Sequence, residues 1–306
     1  MKKYITALLL CASLAALASC GGIGTAVTDA GTSADGAVTS AGTTAEADTT
    51  AEADTTAEAQ TTAATSEETT AQAENGPRLL FEDNFDGGDI DSAKWERCPE
   101  WERQGGADIW SDALSYTDGE GHLILRAQWN ADDSRVESGA VRTNGLFTAA
   151  EGYYEASIRF PVATGTWGAF WMMCGDVGGV DGTSEDGIEI DIIESISNEA
   201  GASNHAMHWD GYGDDAKSEA KTLDTAIYDG EFHLFALEWT ADEYVFYVDG
   251  AETWRTKAGG MCAAQGYMKL TVEAAEWAGA GSDASISALP ADMQVDYVRV
   301  WSSKPQ

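Results

Sequence analysis

The most constraining stretch of this 306-residue chain is the run from residue 187 to residue 195, where isoleucines alternate with carboxylates. Isoleucine at positions 188, 190, 192 and 193 is β-branched and favours an extended backbone over a helix. Successive side chains of a strand point to opposite faces, so Glu189 and Asp191 share one face and isoleucines cover the other. The run therefore predicts a strand that is buried on one face and acidic on the other.

A third acid, Glu194, follows Asp191 by three residues and would face the isoleucine side of a regular strand. A one-residue β-bulge near Ile192 and Ile193 would return Glu194 to the acidic face, and such bulges are common beside active sites. Carboxylates this close resist ionising together, so one is expected to hold a proton while another stays charged. Retaining glycoside hydrolysis uses such a pair, at a separation of roughly 5–5.5 Å.

Two other interpretations of these acids remain open. A Ca²⁺ site also gathers carboxylates, and a solvent-facing strand carries them for solubility. Calcium loops usually space their ligands with Gly, Asn and Asp rather than isoleucine, which favours catalysis.

The amino terminus has the features of an export signal. A charged start is followed by an apolar run over residues 4–17 that is too short for a membrane-spanning helix, and then by Ala18, Ser19 and Cys20. Small residues immediately before a cysteine resemble a bacterial lipobox. We therefore expect residues 1–19 to be a lipoprotein signal peptide and Cys20 to be lipidated, which predicts an exported chain anchored to the bacterial cell surface or membrane. The alternative is an ordinary secretory signal, with Cys20 incidental.

Composition separates a tether from a folded domain. Residues 21–76 contain no lysine, arginine or aromatic residue, and such a segment buries too little apolar surface to offset its chain entropy. We expect residues 20–76 to be a disordered acidic tether and residues 77–306 to be the catalytic domain.

The charge balance limits the partners. The chain has 17 basic and 52 acidic residues, a formal net charge of −35. Nucleic acids and anionic membrane surfaces favour basic patches, so we expect a neutral β-linked polysaccharide as partner and no nucleic acid. The expected oligomeric state is a monomer, for which the charge gives no argument. Three cysteines fall in the folded region, Cys98, Cys174 and Cys262, which allows at most one disulfide among them; the sequence does not say which pair.

The folded region is a series of short strands separated by Gly, Asp and Asn turns, which favours an antiparallel sandwich or barrel. The clearest hairpin turns at Asp249 and Gly250. Aromatic residues gather around the acidic strand, and sugar rings stack on aromatic planes. His208 either makes a structural hydrogen bond, touches substrate or orients Asp191. The predicted substrate-binding residues are Trp167, Trp171, His208, Trp209 and Trp277.

Several segments together resemble glycoside hydrolase family sixteen, the laminarinase and β-glucanase family. Residues 189–194 resemble its E-x-D-x-x-E signature in the form of the laminarinase branch. Residues 167–172 are similar to the strand that precedes this signature in the family, with Gly168 in place of a usual proline. Residues 232–250 are similar to the family's F-H-x-Y-x-x-E-W-T segment, and residues 296–301 are similar to its last strand. The stretch from Thr271 to Gly279 keeps little of the laminarinase pattern beyond Trp277 and its glycine.

The resemblance implies an all-β fold, a concanavalin A-like β-jelly-roll sandwich of two curved antiparallel sheets. It also implies an endo-acting retaining enzyme that cleaves β-1,3- or mixed-linkage β-1,3-1,4-glucan. By position, Glu189 would be the nucleophile, Glu194 the acid and base, and Asp191 the hydrogen-bond partner of Glu189. The chemistry needs no cofactor, while a structural Ca²⁺ near Asp296 is implied by family members that hold one there.

Two alternatives to a glucanase are an enzyme of galactans and a binding protein. An agarase or carrageenase-like enzyme shares the same spacing of acids, but sulfated galactans need basic subsites and Lys and Arg are scarce here. A lectin-like protein would bind glycan without cutting it, and the intact Glu189 and Glu194 pair argues against that, because a buried carboxylate pair is costly.

Overall fold

The computed structural model describes residues 76–103, 107–197, 202–275 and 283–306. The predictions for the signal peptide, the tether, Cys20 and Trp277 therefore lie outside the described residues. None of the helices within the described ranges has the length and apolar character needed to cross a membrane.

Short strands make up most of the described chain, as the turn-rich sequence predicts. One helix has five residues, α1 (Asp283–Ser287), and one short 3₁₀ turn covers Asp112–Leu114. The strands are β1 (Leu79–Asp83), β2 (Glu96–Arg97), β3 (Trp101–Arg103), β4 (Asp108–Trp110), β5 (Ser115–Thr117), β6 (Leu123–Asn130), β7 (Arg135–Ser138), β8 (Ala140–Arg142), β9 (Gly152–Arg159), β10 (Thr166–Gly175), β11 (Gly187–Ser197), β12 (Ala202–Trp209), β13 (Lys217–Leu223), β14 (His233–Trp239), β15 (Tyr244–Val248), β16 (Ala251–Thr256), β17 (Gly266–Ala274) and β18 (Ala291–Trp301).

The strands form two sheets. The first is 11-stranded, in the order β16-β15-β14-β9-β18-β6-β7-β4-β3, with β1 beside β18 and β5 beside β6. The second is 7-stranded, in the order β13-β12-β11-β10-β17-β8-β2. Their pairing is antiparallel except between β4 and β7, which run parallel. This architecture confirms the predicted all-β jelly-roll sandwich of two antiparallel sheets.

Both sheets contribute to one hydrophobic core. From the second sheet it receives Ile188, Ile190, Ile192 and Ile193 of β11 and the side chains of Leu270 and Val272 of β17. From the first sheet it receives Phe235 and Leu237 of β14. All of these side chains are fully buried. Because one face of the second sheet is committed to this core, its opposite face is the one available to a ligand.

The hairpin of β15 and β16 turns where the sequence predicts. Asp249 and Gly250 have φ angles of 50° and 77°, the left-handed values that a two-residue turn with the twist of its strands requires. The three cysteines of the domain, Cys98, Cys174 and Cys262, are buried free thiols.

Candidate active site

The predicted bulge is present in β11. In the pairing of β11 with β10, Asp191 lies opposite Trp171 and Ile193 lies opposite Phe170, so Ile192 has no partner. In the pairing of β11 with β12, the register shifts between Asp191 and Glu194. Both Ile192 and Ile193 are fully buried, whereas Glu194 is half-buried on the opposite face. The bulge therefore does what the sequence requires, since it brings Glu194 to the side of Glu189.

A buried histidine supports the bulge from beneath. His205 Nδ1 lies 2.5 Å from the carbonyl oxygen of Ile192, and its Nε2 lies 2.7 Å from Thr253 Oγ1. Burial lowers the pKa of His205 to about 4, so the ring is neutral and bridges the two groups. A bulge leaves a backbone group without its ladder partner, and this ring supplies one. His205 was not among the residues predicted for the site.

Register places a grid of side chains on the acidic face of the second sheet. Directly opposite residues of neighbouring strands share a face, so the cross-strand partners of the three acids lie beside them. Glu189 has Met173 and His208 as neighbours, Asp191 has Trp171 and Ala206, and Glu194 has Ala169 and Asn204.

Two N–H donors hold the carboxylate of Glu194. Trp167 Nε1 donates to Oε1 over 3.0 Å, and Asn204 Nδ2 donates to Oε2 over 2.6 Å. The structure thus places Trp167, predicted as a sugar-stacking residue, in contact with a candidate catalytic acid. Asn204 was missed, although it lies four residues before His208 in the same strand, and a period of two would have put both on one face.

A tyrosine from a loop holds the carboxylate of Glu189. Tyr212 Oη donates to Glu189 Oε2 over 2.5 Å. The loop reaches this position through Asp210 and Gly211, whose φ angles are 59° and 73°, and Gly211 N–H donates to the carbonyl of Val177 over 2.7 Å. Tyr212 follows His208 by four residues, but the sequence does not reveal this contact, because it depends on the loop conformation.

His208 lies beside the central acid, as one of the predicted roles requires. Its Nε2 is 3.3 Å from Asp191 Oδ2. Burial disfavours the imidazolium, but the hydrogen bond and charge of Asp191 outweigh it and raise the pKa of His208 to about 9. At neutral pH His208 is therefore a cation that offsets the charge of Asp191.

Burial also shifts both outer acids. Burial first, and then the charge of Asp191, raises the pKa of Glu189 to about 7 and that of Glu194 to about 8. Nearby donors oppose this rise, since Tyr212 favours the anion of Glu189 and Asn204 that of Glu194. The two acids interact, so their protons come off in two steps that belong to the pair, near neutral pH and above it.

Metal donors cluster at the acids and not at the predicted calcium position. Oxygens of Glu189 and Asp191 and a ring nitrogen of His208 lie within 4.8 Å of one another. Among the described residues, no such cluster of three includes Asp296, which is half-buried in β18. Any calcium there would rest mainly on backbone oxygens, so the structural Ca²⁺ stays a prediction.

The predicted sugar-stacking tryptophans separate into different environments. Trp171 lies on the acidic face, where its Nε1 donates to Thr271 Oγ1 over 3.1 Å. The prediction that Trp209 binds substrate is wrong. Its side chain is 8% exposed and packs in the core, near Gly259. It follows His208 directly, and adjacent strand residues face opposite sides, so Trp209 points away from the acids.

A sandwich with two perturbed carboxylates, their N–H and O–H donors and an indole on one open sheet face is the arrangement of a polysaccharide-cleaving glycoside hydrolase. The sequence model of the β-porphyranase A-D GH16 domain matches residues 80–303 of the chain. The chain belongs to glycoside hydrolase family 16.

Curated relatives differ in substrate. The keratan-sulfate endo-1,4-β-galactosidase of Sphingobacterium multivorum is 28% identical over 253 residues, covering 76% of this chain and 57% of the relative. The endo-1,3-1,4-β-glycanase EglC of Rhizobium meliloti (strain 1021) is 27% identical over 217 residues, covering 69% of this chain and 43% of the relative. The chain thus spans about half the length of these curated relatives.

Solved structures share the fold at lower identity. The laminarinase catalytic domain of Thermotoga maritima MSB8 superposes with a TM-score of 0.61 at 24% identity, covering 75% of this chain and 99% of that one. A GH16 protein of a Bacteroides ovatus mixed-linkage glucan locus superposes with a TM-score of 0.59 at 22% identity, covering 72% and 99%. These likenesses concern the fold alone.

The contact of Tyr212 with Glu189 predicts a pH effect. Tyr212→Phe removes a hydrogen bond that favours the Glu189 anion, so the pKa of Glu189 should rise. The acidic limb of the kcat/KM profile should move up by roughly one pH unit, while the alkaline limb stays in place. Tyr267→Phe is the matched control, because Tyr267 lies on the same sheet face as Glu189 but is separated from it by Met173 of β10. An unmoved acidic limb in Tyr212→Phe, or an equal movement in the control, would contradict this role.

Proposed function

We propose that this protein is an endo-acting retaining hydrolase of a β-linked polysaccharide. The observation that carries the proposal is the bulge in β11, which brings Glu189 and Glu194 to one face with pKa values raised to about 7 and about 8. Such a pair supplies one ionised and one protonated carboxyl group near neutral pH.

In the first step, the ionised Glu189 attacks the anomeric carbon, and Glu194 gives its proton to the departing glycosidic oxygen. Trp167 and Asn204 fix the position of Glu194, while Tyr212 fixes the attacking carboxylate. The product is a covalent glycosyl-enzyme and a chain fragment with a new non-reducing end.

In the second step, Glu194 is an anion and takes a proton from water, whose oxygen attacks the same carbon and releases Glu189. The His208 cation beside Asp191 offsets negative charge in this site of three acids. Two displacements at one carbon restore the original configuration, which makes the enzyme retaining.

Two substrate classes are candidates. A β-1,3- or mixed-linkage β-1,3-1,4-glucan is the prediction from the sequence, and it is supported by the similarity to EglC. A β-galactan is the second candidate, supported by the match to the β-porphyranase GH16 domain and by the keratan-sulfate endo-1,4-β-galactosidase.

A substrate panel tests the function. The purified protein is incubated separately with laminarin, barley mixed-linkage glucan, agarose, carrageenan, porphyran and keratan sulfate, and new reducing ends are measured. We expect release from at least one polymer, with internal cleavage visible as a rapid fall in polymer size. If the protein binds at least one of the six polymers and releases reducing ends from none of them, a lectin-like function replaces this proposal.

We also propose that the chain is exported and anchored through a lipid on Cys20, with residues 20–76 as a tether. Its support is the sequence at residues 17–20 and the composition of residues 21–76. Metabolic labelling with a fatty-acid analogue checks this, because Cys20→Ser should abolish the label.

A further inference from the structure

One histidine of β12 faces the bulge of β11. Ala206 pairs with Asp191, and Asn204 pairs with Glu194. The two bulge residues between these acids therefore share one opposing residue, which is His205. The side chain of His205 is fully buried and lies on the core side of the sheet. His205 is thus beneath the site and does not reach a substrate bound on the acidic face.

Two hydrogen bonds hold the ring of His205 in one tautomer. Nδ1 lies 2.5 Å from the carbonyl oxygen of Ile192, which only accepts, so Nδ1 carries a proton. Burial lowers the pKa of His205 to about 4, so the ring is neutral and its Nε2 is an acceptor. The hydroxyl of Thr253 lies 2.7 Å from Nε2 and 3.2 Å from the carbonyl oxygen of Phe246, and its one proton serves the shorter contact.

These contacts connect the bulge to the opposite sheet. His205 belongs to the second sheet, whereas Thr253 lies in β16, the edge strand of the first. The ring centroid of His205 lies 4.8 Å from that of Phe246 in β15 and 6.5 Å from that of Trp254 in β16. Packing between the sheets therefore fixes the imidazole, and the imidazole in turn fixes the carbonyl group of Ile192.

The bulge separates the two candidate catalytic acids. Glu189 precedes it and pairs with His208, whereas Glu194 follows it. Without the extra residue, a regular strand would turn Glu194 toward the core. The position of Glu194 thus depends on the bulge, while Glu189 lies on the regular part of β11.

We propose that His205 is a positioning residue for the general acid: it holds the bulge carbonyl in place and so keeps Glu194 aimed at the departing glycosidic oxygen. This inference rests on the proposed function as a polysaccharide hydrolase. A displacement of about 1 Å at a catalytic group lowers a rate by up to about 100-fold. The step that needs a proton from Glu194 is therefore sensitive to His205, and the attack by Glu189 is not.

Two substitutions of His205 separate its hydrogen bond from its volume. His205→Phe keeps a ring but has no donor, whereas His205→Asn places an N–H at the position of Nδ1. In His205→Phe we expect kcat on the polysaccharide to fall about 10- to 100-fold, with KM within about twofold. His205→Asn should recover at least about threefold of this loss, because the bulge carbonyl regains a donor.

An activated substrate distinguishes positioning from a general loss of structure. The polysaccharide is the one that the substrate panel shows to be cleaved fastest, and the activated substrate is the dinitrophenyl β-glycoside of its disaccharide unit. Dinitrophenol departs with little protonation, so its first release in stopped-flow measurements should stay within about threefold of the native rate in His205→Phe. A purely structural role would slow both substrates equally.

Ser203→Ala is the matched control. Ser203 is buried on the same face of β12 and pairs with Ser195, beyond the bulge. Both rates should be unchanged in this control. Thr253→Val removes the hydroxyl that orients the ring and should lower kcat on the polysaccharide about 3- to 10-fold, which tests the inference even if His205→Phe does not fold.

Three results would overturn the inference: an unchanged kcat in folded His205→Phe and Thr253→Val, equal losses on the two substrates, or no recovery in His205→Asn. NMR of isotope-labelled histidines tests the hydrogen bonds without hydrolysis. We expect His205 to be the neutral Nδ1–H tautomer at neutral pH, and an Nε2–H tautomer would also overturn the inference. Absence of hydrolysis from every polymer would reject the hydrolase, while the tautomer would still report whether His205 holds the bulge.

Discussion

Glu189→Gln is expected to reduce hydrolysis by about four to six orders of magnitude while leaving polysaccharide binding nearly intact. An amide is a poor nucleophile, yet it has the shape of the carboxyl group, and its oxygen still accepts the hydrogen bond from Tyr212. Reducing-end release and affinity electrophoresis measure the two properties separately. Glu219→Gln is the control, because Glu219 lies in β13 of the same sheet and accepts instead from Thr256 Oγ1 over 2.8 Å. Hydrolysis retained in Glu189→Gln would reject Glu189 as the nucleophile.

A small anion gives a second measurement on the same residue. In Glu189→Ala, azide fits the space left by the side chain and attacks the anomeric carbon from the face that Glu189 occupied. A β-linked substrate should then yield an α-glycosyl azide, identified by NMR. Rescue that gives only the β-azide would place the nucleophile elsewhere.

Glu194→Gln is expected to slow polysaccharide hydrolysis by about 10²- to 10⁴-fold, because the departing sugar oxygen loses its proton donor. A substrate with a dinitrophenyl leaving group needs little protonation, so its first step should remain fast. The second step lacks its base, and the glycosyl-enzyme should accumulate. We therefore expect a burst of dinitrophenol, about one equivalent per enzyme, followed by slow turnover.

The pH profile separates this role from a structural one. The alkaline limb of the native kcat/KM profile should report deprotonation of the acid, whose pKa burial and Asp191 raise to about 8. In Glu194→Gln that limb should disappear for the activated substrate, while the acidic limb remains. Asn204→Ala removes one donor to Glu194, so it should move the alkaline limb to higher pH without removing it. A burst-free Glu194→Gln that keeps its alkaline limb would contradict the assignment.

The local features of β11 were open to prediction because they depend on parity and on side-chain type. Alternation put Glu189 and Asp191 on one face of the strand. Glu194 could join them on that face only if a bulge added one residue between Asp191 and Glu194. The structure contains that bulge. The same parity rule would have identified Asn204 from His208, since no long-range information enters that step.

The error at Trp209 shows what composition alone misses. The aromatic residues near the acidic strand led to the prediction that Trp209 binds substrate, but one step from His208 reverses the face, and Trp209 packs in the core. Parity was the stronger indicator, because the pleat fixes direction at every residue whereas neighbouring polarity does not.

Total charge does not show where individual cations lie in the fold. A net charge of −35 describes the whole chain, whereas recognition depends on where the few cations lie. Lys269 and Arg103 come from different sheets, yet both meet the ring of Trp110. The sequence therefore does not reveal that these two cations approach one ring.

By itself, the sequence determined the sheet sandwich, the acidic strand with its bulge and the residues proposed for the two chemical steps. Those properties follow from short-range alternation, β-branching and turn residues. Only the tertiary structure decided the contacts of Tyr212, His205, Lys269 and Arg103. Such contacts depend on loop conformation and on which strands become neighbours, and packing of the whole domain sets both.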